Sequence, residues 1–156
     1  MEVDDRSDES VYAAHAAELV RFATGLVGID DAPDVVVDAF VRVIRSPVWP
    51  EARDRRALWV RAVVFESRSM VRSSVRRRER ERRVAVPALV SEETTAVDTH
   101  VVDALDVLSV QQRAVVMLTY WLDLTPASIA ELLDVSEGSV RKQLARARAR
   151  MKEVLS

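Results

Sequence analysis

A set of basic side chains near the carboxyl end of the chain has the types and spacing needed to contact nucleic acid. Arg141, Lys142 and Arg146 occupy outward positions of a predicted helix, whereas Val140 and Leu144 recur at i and i+4 on its inward side. Guanidinium and ammonium groups donate hydrogen bonds to phosphate oxygens and to the acceptor edge of guanine. The spacing therefore predicts a helix that presents a DNA-reading surface.

The residues before this helix predict the turn that positions it. Thr125 is suited to an N-cap, and Pro126 to the first helical position, where a missing N–H costs nothing. Asp134 stands where a tight turn needs a residue that tolerates a left-handed conformation, and Ser136 can cap the next helix. The pattern predicts a helix-turn-helix, whose second helix enters a major groove. The alternative is a helical hairpin whose charges form a solvated face.

Charge is segregated along the chain, although the net charge is only −2. Residues 1–40 carry ten acidic and two basic side chains, and residues 41–83 carry fourteen basic and five acidic ones. Residues 84–134 carry eight acidic and one basic, and residues 135–156 carry six basic and two acidic. The basic blocks indicate phosphate contact, and the acidic blocks suit docking onto a basic protein surface. Arginine dominates, which favours bidentate contacts, although a GC-rich coding bias would give the same excess.

Composition argues against several classes of site. Cysteine is absent, which excludes disulfides and thiolate metal sites, and His15 and His100 stand apart, so we expect no metal or cofactor. Because the chain has no Gly-rich phosphate loop and no nucleophile–base pairing, we expect no catalytic residues and no enzymatic activity. No apolar run approaches the roughly 20 residues that span a membrane. The acidic N-terminus does not resemble a signal peptide, so we expect a cytoplasmic protein without membrane insertion.

Apolar periodicity predicts about seven helices and no strand, and hence an all-α fold. The first three predicted helices run over Ser10–Val27, Asp31–Arg45 and Asp54–Arg83. The valine-rich second segment also fits a buried strand, but its start with acidic residues and a proline favours a helix. A short helix over His100–Leu108 precedes a capping box at Ser109 and Gln112, which opens a helix ending near Trp121.

Residues 84–99 predict a linker between two small helical domains. They contain a proline, scattered small apolar residues and the run Ser-Glu-Glu-Thr-Thr, without a sustained period. We therefore divide the chain into a flexible acidic N-terminus at 1–9, a helical domain at 10–83, a linker at 84–99 and a helix-turn-helix domain at 100–156.

Both predicted domains resemble extracytoplasmic-function (group IV) RNA polymerase sigma factors of the sigma-70 family. The run Leu108-Ser-Val-Gln-Gln-Arg-Ala-Val-Val-Met-Leu resembles the opening of the family's region 4, and residues 129–148 resemble its helix-turn-helix. The run Asp31-Ala-Pro-Asp-Val-Val-Val-Asp-Ala-Phe-Val-Arg-Val and the later Trp59 resemble region 2. The resemblance covers roughly residues 10–83 and 100–155, and it implies a factor with regions 2 and 4 only.

The resemblance implies that the chain binds core RNA polymerase and directs promoter-specific transcription initiation. Region 2 would bind the clamp helices of the β′ subunit and region 4 the β flap. The residues implied for polymerase contact are Asp34, Asp38, Phe40 and Arg42. The family commonly has anti-sigma proteins as partners, which can hold a factor near the membrane. We expect the free chain to be a monomer and the polymerase-bound chain to be associated with the nucleoid.

The resemblance also divides promoter recognition between the two regions. Region 2 would face the −10 element, whose separated strands favour a cationic groove with aromatic platforms; the residues implied there are Trp49, Trp59, Arg68, Arg72, Arg76 and Arg77. The alternatives are that Trp49, between two prolines, packs its loop down, and that the arginines are a solubilising helix end. Region 4 would read the −35 element as duplex DNA. Base edges or nearby phosphates would be contacted by Arg141, Lys142 and Arg146, and phosphates by Ser136, Ser139, Gln143 and Arg113.

The chain departs from the family pattern within region 2. Phe65 and Glu66 stand where the family has Arg-Asn, Val37 stands in place of a glutamine, and Met70 in place of an aspartate. Glu66 would repel DNA phosphates unless an arginine neutralises it. Either the promoter differs from the family norm or region 2 has lost part of its melting role. Two other functions therefore stay open: a sigma-like DNA-binding regulator that does not initiate alone, and a protein- or RNA-interaction module.

Overall fold

The regular structure of the protein is helical wherever the computed structural model describes it, which is over residues 7–82 and 104–155. The helices are α1 (Asp8–Val27), α2 (Ala32–Ile44), α3 (Arg55–Arg82), α4 (Val110–Tyr120), α5 (Pro126–Leu133) and α6 (Glu137–Leu155). A further helical turn covers residues 104–106. The predicted all-α fold is confirmed. The predictions for residues 1–6, for the linker and for the start of the short helix at His100 lie outside the described residues.

Helix α1 begins earlier than predicted, at Asp8 rather than at Ser10. The reason is that the Ser7 hydroxyl accepts a hydrogen bond from the Ser10 N–H at 3.1 Å, which makes Ser7 the N-cap. Asp8 and Glu9 then lie in the first turn, where negative charge complements the helix dipole. The last residues of the stretch predicted as a flexible N-terminus are therefore helical. The helix ends at Gly28, whose φ of 92° is readily adopted by glycine.

The valine-rich segment is a helix, as its acidic and proline-containing start predicted. Val35, Val36 and Val43 of α2 are buried, so their packing compensates for the weak helix propensity of β-branched residues. The helix packs against both α1 and α3. Within residues 7–82, these three helices form one bundle.

An aromatic cluster fills the centre of this bundle. Trp59 of α3 is fully buried, and its indole N–H donates to the Val36 carbonyl at 3.0 Å. Its ring lies 4.6 Å from the Phe40 ring and 5.6 Å from the Tyr12 ring, measured between centroids. Trp49, from the loop between α2 and α3, adds a fourth ring 5.9 Å from Phe40. The cluster therefore ties α1, α2, α3 and the intervening loop together.

An ion pair fastens the start of α3 to α1 on the outside of the bundle. Two guanidinium nitrogens of Arg56, Nε and Nη2, donate to the Glu18 carboxylate, with an Nε–Oε2 distance of 3.0 Å. These hydrogen bonds hold the pKa of Glu18 below its usual value and raise that of Arg56. Because both side chains are about one-third exposed, the pair contributes little to stability.

The carboxyl-terminal helices form a second bundle through local signals that the sequence carries. The predicted capping box is present: Ser109 and Gln112 exchange hydrogen bonds between side chain and backbone, each at 3.1 Å. Leu118 of α4, Ile129 of α5 and Val140 of α6 are fully buried. Their contact holds α5 and α6 on α4.

The two bundles pack directly against each other. Helix α4 contacts α1 and α3, and α5 contacts α3. The Phe22 ring of α1 stacks nearly parallel to Trp121 at 6.1 Å, and Gly25 of α1 leaves room for the Met117 side chain. Buried side chains from both halves consequently belong to one continuous apolar cluster. No helix of residues 7–82 or 104–155 is long and apolar enough to cross a lipid bilayer.

Candidate nucleic-acid interface

Helices α5 and α6 form the predicted helix-turn-helix. The Thr125 hydroxyl accepts the Ser128 N–H at 3.1 Å, and Pro126 occupies the first turn of α5. Asp134 adopts the left-handed conformation expected of it, with φ 56° and ψ 49°. The Ser136 hydroxyl accepts the Ser139 N–H at 3.0 Å and caps α6. Each of these backbone features was predicted from the sequence.

Helix α6 buries one side and exposes its basic side. Val140, Leu144 and Ala147 are buried, as the i, i+4 spacing predicted. Arg141, Lys142 and Arg146 are exposed, and the half-buried Ser139 and Gln143 lie at the edge of this surface. A helix with this exposed surface, preceded by a tight turn, has the shape that fits a major groove.

Two contacts on α6 were not predicted from the sequence. Arg141 donates from Nη2 and Nε to Glu137 Oε1, at 2.7 and 3.3 Å, which holds its guanidinium near the start of the helix. The i, i+4 spacing of Glu137 and Arg141 is the sequence pattern that could have predicted this ion pair. Arg148 donates to the Tyr120 hydroxyl at 2.7 Å, so this side chain is directed toward α4.

Arg113 has a different environment from the one expected of a phosphate contact. Its guanidinium donates to the carbonyls of Leu105 at 2.7 Å, Leu26 at 2.7 Å and Asp106 at 3.2 Å. Burial lowers the pKa of Arg113, and the charge of Asp106 opposes this effect. The Leu26 carbonyl belongs to α1, so Arg113 joins the two bundles. In this packed arrangement the Arg113 guanidinium is therefore held by backbone carbonyls of both bundles, and its predicted phosphate contact stays a prediction.

The two tryptophans predicted at the −10 element are not on the surface. Trp59 is at the centre of the aromatic cluster, and Trp49 is buried with its indole N–H donated to Asp8 Oδ1 at 2.8 Å. Arg55 lies over the Trp49 ring at 5.1 Å and donates to its carbonyl at 3.2 Å. A base has no access to either ring. The structure supports the alternative that Trp49 packs its loop down, and Trp59 is a core residue.

The predicted arginines of α3 are exposed. Arg68, Arg72 and Arg76 are spaced four residues apart and follow one side of the helix. Arg77 is also exposed but points about 100° away, because a helix turns by that angle per residue. Arg61 continues the row of Arg68, Arg72 and Arg76 toward the start of α3 and forms an ion pair with Asp134 at 3.3 Å.

The residues that depart from the family pattern form a small cluster with Arg42. Arg42 Nε donates to Glu66 Oε1 at 2.7 Å, and the guanidinium lies 4.4 Å from the centre of the Phe65 ring. Arg42 thus supplies a positive charge that neutralises the Glu66 carboxylate. Of the predicted polymerase contacts, Asp34 and Asp38 are exposed on α2, whereas Phe40 belongs to the aromatic cluster.

Comparison with known proteins identifies the family. The family model for sigma-70, region 4, matches residues 100–151. The ECF RNA polymerase sigma factor SigL of Mycobacterium tuberculosis, strains H37Rv and Erdman, is 32% identical over 148 residues, which cover 86% of this chain and 81% of SigL. The chain belongs to the ECF RNA polymerase sigma factors. As a member of this family, the sigma factor acts in transcription initiation, and the regulator and interaction-module alternatives are not favoured.

A solved structure shares the fold of this sigma factor. The co-crystal structure of the sigma factor RpoE with the anti-sigma factor NepR from Bartonella quintana covers 94% of this chain and 95% of that chain, with a TM-score of 0.61 and 20% identity. ECF sigma factors are transcription factors rather than a family of enzymes. Among the described residues, no group of three or more His, Asp or Glu side chains is arranged to hold a metal ion.

Proposed function

We propose that this sigma factor brings core RNA polymerase to promoters by contacting DNA with both bundles. Residues 104–155 bind the −35 element as duplex DNA, and α1–α3 face the −10 element. The observation that carries this proposal is the exposed basic surface of α6, with Arg141, Lys142 and Arg146 displayed after the left-handed turn at Asp134. These three side chains contact base edges or nearby phosphates, and Ser136, Ser139 and Gln143 contact phosphates.

We also propose a polymerase-binding surface on α2. Asp34 and Asp38 are exposed one turn apart, and they provide an acidic face for a basic protein surface. Arg42 borders this face while remaining paired with Glu66. In this proposal α2 binds the clamp helices of the polymerase β′ subunit, and residues 104–155 bind the flap of the β subunit.

The distance between the two promoter elements requires the bundles to separate. The element names place them 25 base pairs apart, which is about 85 Å of duplex at 3.4 Å per base pair. In the packed arrangement, however, Asp134 in the turn of the helix-turn-helix lies 3.3 Å from Arg61 of α3. We therefore propose that the packed arrangement belongs to the free factor and opens on polymerase and promoter.

Enlarging Gly25 tests this opening. A Cβ at Gly25 would approach Cε at the flexible end of Met117 to 2.7 Å, and the rest of a leucine side chain would also have to fit between α1 and α4. We therefore expect Gly25→Leu to push α4 away from α1 while improving the helix propensity of α1. The radius of gyration from small-angle X-ray scattering is expected to rise well above the roughly 15 Å of a compact chain of this length. The affinity for core polymerase is expected to rise by a few fold, because less free energy is then needed for opening.

A second substitution that makes room for the leucine side chain provides the control. Met117→Ala removes the atoms that the leucine would meet, so Gly25→Leu with Met117→Ala is expected to regain the compact radius and the original affinity. An expanded Gly25→Leu variant with weaker polymerase binding would contradict the proposed opening.

Transcription in vitro tests the proposed function itself. The full chain is mixed with core RNA polymerase of the source organism and with genomic fragments, and initiation sites are mapped by sequencing the transcripts. We expect initiation from a small set of promoters only when the sigma factor is present. Core polymerase that binds the factor and yet forms no open complex would sink the proposal in favour of a regulator.

The cellular setting follows from this function. We propose that the factor works in the cytoplasm, on the nucleoid when bound to polymerase, as a monomer when free and without catalytic activity or cofactor. The RpoE structure contains the anti-sigma factor NepR, and on that basis we propose that an anti-sigma protein holds this factor inactive as well.

A further inference from the structure

Phe65 differs from the other aromatic side chains of α1–α3. Among the described residues 7–82, the remaining rings each contact another ring: Tyr12, Phe40, Trp49 and Trp59 within the cluster, and Phe22 against Trp121. Phe65 contacts no other aromatic ring of residues 7–82 or 104–155, and 51% of it is exposed. A single exposed apolar residue is common on protein surfaces, so exposure alone does not indicate a binding site. The residues around Phe65 are what distinguish it.

Those surroundings hold the ring in a defined position. The Arg42 guanidinium lies 4.4 Å from the ring centre, and its Nε–Oε1 hydrogen bond to Glu66 at 2.7 Å fixes it there. The cation–π contact restricts the Phe65 side chain on one side, while the exposed side remains open for another planar group. Because Arg42 also balances the charge of Glu66, this site does not repel an anionic ligand.

The same side of α3 carries a row of cations. Phe65, Arg68, Arg72 and Arg76 follow at intervals of three, four and four residues, which is one stripe of a helix about 16 Å long. Between Phe65 and Arg76 the stripe also contains Ser69 and no acidic side chain. An exposed ring at the head of a cationic row is the combination with which proteins bind single-stranded nucleic acid.

We propose that Phe65 stacks on an unpaired base of single-stranded DNA, while Arg68, Arg72 and Arg76 bind the phosphates beside it. This inference rests on the proposed contact of α1–α3 with the −10 element, and it assigns the aromatic platform to Phe65 in place of the buried Trp49. Stacking is tolerant of base identity because every base has a planar face. A chain that lacks the Arg-Asn pair of its family therefore keeps a means of holding a separated strand. An apolar protein partner would gain nothing from the arginine row.

Binding of the full chain to short labelled oligonucleotides tests the stacking. A fluorescein-labelled single strand of mixed sequence and the same sequence as a duplex are titrated at fixed salt, and fluorescence anisotropy is measured. We expect Phe65→Ala to bind the single strand about tenfold more weakly, in the range for loss of one stacked base, with duplex binding unchanged. Phe65→Trp is expected to bind at least as tightly as the original chain. Phe65→Leu is expected to be as weak as Phe65→Ala.

Tyr120 supplies a matched control. It is 62% exposed and lies beneath Arg148 at 5.6 Å, so Tyr120→Ala also removes an exposed ring that borders an arginine, but in the other bundle. We expect its single-strand affinity to equal that of the original chain. Melting temperatures show whether each variant is folded. Unchanged single-strand binding by Phe65→Ala, or full binding by Phe65→Leu, would overturn the inference.

Initiation assays with the holoenzyme distinguish a failure of this inference from a failure of the proposed function. If the original holoenzyme initiates and Phe65→Ala initiates equally well with unchanged strand binding, only the stacking is refuted. If the original holoenzyme initiates nowhere, the proposed function fails, and the oligonucleotide titration still decides the stacking. Loss of core polymerase binding by Phe65→Ala, without loss of strand binding, would assign the ring to a protein contact and overturn the inference.

Discussion

Replacing Trp59 by alanine is expected to lower the free energy of unfolding by about 3–5 kcal/mol, because a fully buried indole leaves a cavity at the centre of the α1–α3 bundle. That loss is a large fraction of the roughly 5–15 kcal/mol that stabilises a typical domain. Urea unfolding followed by circular dichroism measures the change.

The conservative variant separates packing from hydrogen bonding. Trp59→Phe keeps a ring against Phe40 and Tyr12 but loses the bond to the Val36 carbonyl, so we expect a loss of about 1 kcal/mol beyond any small cavity. If Trp59→Ala kept its stability and lost promoter binding instead, Trp59 would be a DNA contact and its assignment to the core would be wrong.

Removing Arg146 or Arg141 is expected to weaken binding to a selected −35 duplex by about 1–3 kcal/mol each, which is about 5- to 150-fold. The two side chains differ in the free factor: Arg141 is paired with Glu137, whereas Arg146 is exposed with no partner among the described residues. Duplexes are selected from a random pool with the original full chain, and affinities of Arg141→Ala and Arg146→Ala are measured on selected and scrambled sequences.

The pattern of losses distinguishes the kinds of contact. A base contact lowers affinity for the selected duplex alone, whereas a phosphate contact lowers affinity for all sequences and reduces the salt slope by about 0.9. Arg80→Ala removes one exposed positive charge from α3 and serves as the control. If both variants lost no more affinity than this control, α6 would not be the DNA-reading helix.

The local structure of the helix-turn-helix could be predicted because its determinants are contiguous in the chain. Thr125, Pro126, Asp134 and Ser136 act on backbone groups within a few residues, and each adopts the predicted role. The i, i+4 spacing of Val140 and Leu144 likewise identified the buried side of α6. The predicted start of α1, Ser10, is two residues late, because the N-cap hydrogen bond of Ser7 is visible only in the structure.

The roles of individual surface and core residues could not be predicted in the same way. Trp49 has a side chain that could stack on a base, but the ring is buried and its indole N–H donates a hydrogen bond to Asp8, which is 41 residues earlier in the chain. Arg113 looks like a phosphate contact in its motif, but one of its partners is the carbonyl of Leu26, 87 residues away. The arginine that neutralises Glu66 is Arg42, which is 24 residues earlier in the chain, so the sequence alone did not identify it.

Local patterns along the chain were enough to predict the helices, the turn at Asp134 and the basic surface of α6, because capping, glycine and proline geometry and apolar periodicity act over a few residues. Long-range packing, in contrast, sets which aromatic rings are buried, which arginines are paired and how the two bundles contact each other. Those outcomes depend on contacts between residues distant in the chain, such as Gly25 with Met117 and Arg61 with Asp134, whose pairing no local pattern specifies.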